Sequence, residues 1–354
     1  SFAGTLDGGG KSILNLSFAT NPSQANLGFF DELDGGVVKN LTIEVVNGNV
    51  NYTPPSADIY FGVFAGKLKN GASITNSTAA GKIAVTATSS TATEAKRRVY
   101  VGALAGSIET GSSINNSSSR VDVEAYNRTV SATLGDANPF AYTGGIVGIL
   151  KNGTLTNVYT GGNITARSYV EGTGNLLAND DTETYAGGIA GYQSSGTIEN
   201  SYAYGNIVSV ATTPDGPTAR AGGIVGAIES GVIKNSLGIN IIISATTKHK
   251  DGRVKGVNSV GRVAGYLVGA ASRTKDNIYG NANLNFGGDT ATVWNGVDVD
   301  YYFRNLQWFW DASPNGLGFN YYDSTNPDAN PWLEDNLYKY PCPLSICPIF
   351  YWEK

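Results

Sequence analysis

Methionine is absent from the 354 residues, histidine occurs once and cysteine twice. With His249 alone, the His-Glu-x-x-His zinc-protease signature cannot occur, because it sets two histidines one helical turn apart. Cys342 and Cys347 cannot form a zinc site without further ligands nearby, and none is there. Charge is scarce too. Only 15% of residues are charged, below the ordinary figure of about 25%. Lys+Arg number 24 against Asp+Glu 29, a net charge of −5 without any basic block, so the clustered cations that nucleic-acid phosphates require are missing. No apolar run approaches the ~20 residues of a membrane-spanning helix. No stretch of 3.6-residue periodicity is long enough to mark a helix. The segment Gly4–Ser12 puts five residues between its first glycine and Gly10-Lys11-Ser12, where a phosphate-binding loop needs four. It reads as a turn-rich first coil. The chain opens inside a patterned strand without methionine or leader, which suggests an exported protein whose export segment has been removed.

Glycine, by contrast, is abundant at 46 residues, and its placement is regular. The pattern Gly-x-(large apolar)-(small)-Gly returns at Gly62/Gly66, Gly102/Gly106, Gly144/Gly148, Gly187/Gly191, Gly222/Gly226 and Gly261/Gly265. The second glycines lie 40, 42, 43, 35 and 39 residues apart. A recurrence of that length predicts stacked units that bury their apolar faces against one another. The large column reads Phe64, Leu104, Ile146, Ile189, Ile224, Val263; the small one reads Ala65, Ala105, Val147, Ala190, Val225, Ala264. The column before them reads Val63, Ala103, Gly145, Gly188, Gly223, Arg262, and its arginine implies tolerance of solvent.

Nine or ten residues after each of the first five pairs comes Ile/Leu-x-Asn, ending at Asn76, Asn116, Asn157, Asn200 and Asn235. The aliphatic alternates with a polar residue, as strand side chains alternate between faces. Asparagine tolerates left-handed backbone and so suits a corner. A further short strand is marked by Ile83/Val85, Val121/Val123, Ile164, Ile207 and Ile239/Ile241. Together these columns predict an all-β fold, a right-handed parallel β-helix of about seven coils over residues 1–285. The insertions at 86–99, 126–141, 167–184, 211–220 and 245–259 occupy one coil position and should emerge along one edge.

Residues 286–354 differ in kind. They hold all five tryptophans, including Trp308 and Trp310, with Tyr321, Tyr322 and much of the proline. Solenoid ends expose apolar surface, so this aromatic region is expected to be a cap; the other use of such rings is a sugar-stacking or partner-docking patch. Cys342-Pro-Leu-Ser-Ile-Cys347 could close a small disulfide loop in an oxidising compartment, or remain two thiols.

The stretches Gly145-Ile146-Val147-Gly148, Gly188-Ile189-Ala190-Gly191 and Gly223-Ile224-Val225-Gly226, with Asn200-Ser201-Tyr202 following the second, resemble the GLUG-motif repeats of bacterial cell-surface proteins. The likeness covers roughly residues 60–280. It implies an exported, surface-located, adhesin-like protein whose partner is a host or matrix glycoprotein or polysaccharide. The repeat also occurs near IgA-cleaving metallopeptidase domains, whose catalytic histidines this chain does not have. The expectation is therefore binding without catalysis, cofactor or metal. Candidate binding residues are Asp180, Asp181, Glu183 and Tyr185 at the loop edge, and Trp308, Trp310, Tyr321 and Tyr322 in the tail. The three acids could offer oxygens to Ca²⁺, but their spacing matches no calcium loop. The rival readings are a β-helical polysaccharide lyase or glycosidase, which needs acids converging in one groove, and a purely structural spacer.

Overall fold

The computed structural model describes residues 1–53, 57–90, 97–130, 138–171, 182–213, 216–248, 256–269, 273–281, 285–287, 297–299, 319, 323–326, 330–334 and 348–350. Among them there are strands and turns but no helix, and the chain is a parallel β-solenoid. Each turn visits three sheets. It runs up a seven-stranded sheet (as at Arg98–Gly102, Phe140–Gly144 and Thr182–Gly187), crosses the glycine pair, and enters a six-stranded sheet (Ala105–Ile108, Val147–Leu150, Ala190–Gln193). It then turns into a long sheet of sixteen strands whose two halves lie on either side of the asparagine. In one turn a single strand, Ser113–Val130, spans both halves; its start pairs with Gly153–Thr160 and its end with Ile164–Glu171.

The predicted columns coincide. Leu104, Ile146, Ile189 and Ile224 are fully buried, and each donates its backbone N–H to its counterpart in the next turn at 2.8–2.9 Å. Burying one such aliphatic side chain contributes about 2–3 kcal/mol, and the stripe repeats that gain in every turn. The regular turns number about five, from the pair at Gly62 to the pair at Gly222, with abbreviated ones at either end; the expected seven included those partial turns.

The glycines are demanded by closeness. A Cβ on Gly187 would overlap the Ala190 carbonyl of its own turn and crowd the Gly226 backbone in the next. The column Val63, Ala103, Gly145, Gly188, Gly223 is not solvent-tolerant as its arginine suggested. Val63 and Ala103 are fully buried, and a Cβ on Gly145 would run into the Thr160 side chain. The asparagines are corners. Asn76, Asn116, Asn157, Asn200 and Asn235 have φ between 47 and 52°, and Asn40 has 54°. Asn157 donates to Asn116 Oδ1 at 2.9 Å and Asn235 to Asn200 Oδ1 at 3.1 Å, so amides line up from turn to turn.

One aliphatic was misassigned. Register places Ile243, not Ile241, over Ile207, and Ile241 is 55% exposed. Ile241 lies in the bend before the strand Ile242–Lys248, so the inward alternation of this turn begins only at Ile243.

The insertions are also shorter than expected. Much of each is strand: the second half of the long sheet runs outward and the seven-stranded sheet returns, two layers packed face to face. Their shared interior turns polar toward the loops, where Ser168 Oγ lies 3.0 Å from Thr184 Oγ1 and Asn127 donates to the Phe140 carbonyl at 3.0 Å. Flanking residues are in register, Arg98 with Phe140 and Phe140 with Glu183, so the connections do leave from one edge.

In the C-terminal region, Trp332–Glu334 pairs antiparallel with Pro348–Phe350. Trp332, Phe350 and Phe319 cluster on the side of the solenoid, over Tyr159 and Tyr202, which stack at 5.0 Å. Trp332 also donates Nε1–H to Asn157 Oδ1 at 3.3 Å, tying the tail to the asparagine column. For these residues the covered surface is a flank of the rod.

Candidate binding groove

Besides the interior, the described residues hold a second aromatic cluster outside the solenoid. Tyr60, Tyr100, Tyr142 and Tyr185 occupy the outward column of the seven-stranded sheet, two residues before the first glycine of each pair. Successive rings lie 4.9, 5.0 and 4.9 Å apart, a ladder four turns long. The column continues as Arg220 and Ser259, and Arg220 donates to Ser259 Oγ at 3.1 Å.

Outward side chains of the six-stranded sheet meet this ladder. Tyr192 lies 5.8 Å from both Tyr142 and Tyr185, Lys67 Nζ is 4.1 Å from the Tyr60 ring centre, and Lys151 Nζ is 5.3 Å from it. Outer faces of two sheets touch only if the angle between them is concave. The glycine pairs make that bend, so the same residues that close the core also open the groove.

Because the ladder rings are only 4–7% exposed, their faces are taken up by one another. Phe140, Tyr192 and Tyr266 are half-buried and offer apolar edges above them. A ligand would therefore meet these upper rings and a polar lining. Glu183 Oε2 accepts from Tyr185 at 2.9 Å and from Tyr142 at 3.3 Å, and Glu229 Oε2 accepts from Tyr192 at 2.7 Å. Burial pushes the Tyr60 phenol up to about 12, with Asp58 and Glu109 adding and Arg98 opposing. Burial likewise raises Tyr100, Tyr142, Tyr185 and Tyr192, and Glu183 raises Tyr142 and Tyr185 further. The phenols are neutral donors at ordinary pH. Burial lowers the Lys151 amine, with Glu109 working the other way.

Of the residues picked from sequence, Glu183 and Tyr185 belong to this groove, joined by a hydrogen bond. Asp180, Asp181, Trp308, Trp310, Tyr321, Tyr322, Cys342, Cys347 and His249 lie outside the described residues. The rest of the ladder was missed although its signal was present: Tyr60, Tyr100, Tyr142 and Tyr185 recur at 40, 42 and 43 residues, in step with the glycines. Among the described residues no group of three or more His, Cys, Asp or Glu could hold a metal ion, and no helix is long and apolar enough to cross a membrane.

No protein-family model matches this chain, and no curated protein does. Among solved structures, a putative immunoglobulin A1 protease from Bacteroides ovatus is similar at 18% identity and a TM-score of 0.48, covering 98% of this chain and 87% of that one.

Proposed function

We propose that this chain is a non-catalytic adhesin-like platform of a bacterial cell surface, which holds a host or matrix polysaccharide or glycoprotein in the groove between its two shorter sheets. The observation that carries the reading is the tyrosine ladder. An outward column has no core to fill, yet it is aromatic for four turns and sets phenol–carboxylate pairs beside the half-buried Phe140, Tyr192 and Tyr266. Half-buried rings beside fixed hydrogen-bonding groups are the usual composition of a saccharide subsite. The GLUG-like residues support surface location and adhesion. The rigidity of a solenoid, in which each turn is held by its neighbours, suits a spacer that presents a binding strip.

A glycan array and a matrix-protein screen with the intact chain test the proposal. Retention on at least one glycan class is expected, and Tyr192→Ala and Glu183→Gln should each reduce it about tenfold, the cost of losing one ring contact or the charge that strengthens one hydrogen bond. Absence of retention on every surface, or retention indifferent to both substitutions, would overturn it. Release of reducing ends or unsaturated sugars from a bound glycan would favour the enzymatic rival.

A further inference from the structure

A separate hollow lies on the opposite side of the two-layer wing, on the outward face of the long sheet's second half. It is a cavity of about 280 Å³ whose lining includes Tyr126, Arg167, Tyr169, Val210, Thr212 and Lys248, together with Glu124. Its origin is legible in the register. Arg167 pairs with Tyr126 on one side and Val210 on the other, and Tyr169 lies across from Thr212, which lies across from Lys248. The strand Ile207–Thr212 thus sets the short Val210 and Thr212 beside the long Arg167 and Tyr169 on one side, with Lys248 beyond Thr212 on the other, and a trough results.

Two features of this trough point to a ligand. Neither Tyr126 nor Tyr169 stacks on another ring among the described residues, so their faces stay available, unlike those of the ladder. The charges are also unbalanced. Arg167 Nε is 3.2 Å from Glu124 Oε1 and Arg128 Nη2 is 2.6 Å from Glu171 Oε2, which leaves Lys248 without an ion pair among the described residues. The trough therefore combines apolar ring faces, a threonine hydroxyl and one cation, Lys248, that has no ion pair among the described residues, in a volume suited to a single sugar residue. Aromatic faces receive the C–H face of a pyranose, and an ammonium selects a carboxylate.

We infer that this trough is a second binding site, specific for a sugar bearing a carboxylate, either a hexuronate within a polysaccharide or a terminal sialate. The inference does not depend on the groove. It is tested by isothermal titration of the intact chain with tetragalacturonate, with sialyllactose, and with the neutral controls tetragalactose and lactose. Binding of at least one acidic ligand is expected, at least about tenfold tighter than its neutral counterpart. The two acidic arms distinguish polymer from terminal sugar. Lys248→Ala should remove that discrimination, Val210→Trp should fill the trough and abolish binding, and the groove variant Glu183→Gln should leave both unchanged. Failure of both acidic ligands at millimolar concentration, equal binding of neutral and acidic sugars, or binding unaffected by Val210→Trp would each overturn the assignment. If Tyr192→Ala removed the same binding, the acidic sugar would belong to the groove instead.

Discussion

Two side-chain columns run along this molecule, one of asparagine and one of tyrosine, and they obey different constraints. The asparagine column is unbroken from Asn40 to Asn235 because the backbone there is left-handed in every turn, a conformation that other L-residues adopt only at a cost of about 1–2 kcal/mol. The tyrosine column is unbroken for four turns and then becomes Arg220 and Ser259. Nothing in the backbone requires an aromatic ring there; the ladder depends on what faces it across the groove. A column fixed by main-chain geometry varies only at a cost to stability, whereas a column fixed by surface shape can be turned to binding.

The contrast can be broken most forcefully at the backbone-dictated positions. Gly187→Ala should cost about 3 kcal/mol or more, because the added methyl meets main chain rather than a yielding side chain. Denaturant titration measures it, and a change below about 1 kcal/mol would mean that adjacent turns are not in close contact. Asn157→Ala comes next, at about 2–3 kcal/mol, since it strains a residue at φ 52° and removes the side-chain hydrogen bonds that Asn157 makes with Asn116 and Trp332. Asn157→Gly should recover the strain portion only, and equal losses for both variants would refute the conformational argument. In the tyrosine column the effects are smaller. Tyr185→Phe keeps the ring and removes the hydrogen bond to Glu183, at about 1 kcal/mol. The smallest effect should come from a surface ion pair: Lys39→Ala, which breaks the 3.3 Å contact with Asp7, should change stability by less than about 1 kcal/mol.

The tyrosine column also predicts a pH dependence. The buried phenols are raised above their ordinary value near 10, so the folded state holds protons that the unfolded chain releases. The stability this linkage provides is fully present below about pH 10 and is lost as pH rises, for Tyr60 through about 12. Alkaline titration followed by phenolate absorbance and by unfolding should show the ladder tyrosines ionising together with loss of structure. Ionisation of all 20 tyrosines near pH 10 in a folded chain would contradict their burial.

Much of this was readable in one dimension. Glycine spacing, the Ile-x-Asn step and the alternation of apolar and polar residues determined a parallel solenoid, because a left-handed corner and a close contact between turns each admit few residue types, and because the strand period is two. Glu183 was picked out only as one of three acids crowded in a loop, and Tyr185 beside them, without the ladder to which they belong. Only the tertiary structure decided that the sheets meet at a concave outer angle, that Tyr60, Tyr100, Tyr142 and Tyr185 stack there with Tyr192 beside them, and that the tail residue Trp332 covers a flank. Sequence periodicity reports which side chains share a face. The angle between two faces, and what comes to lie across it, is set by how the turns close in space.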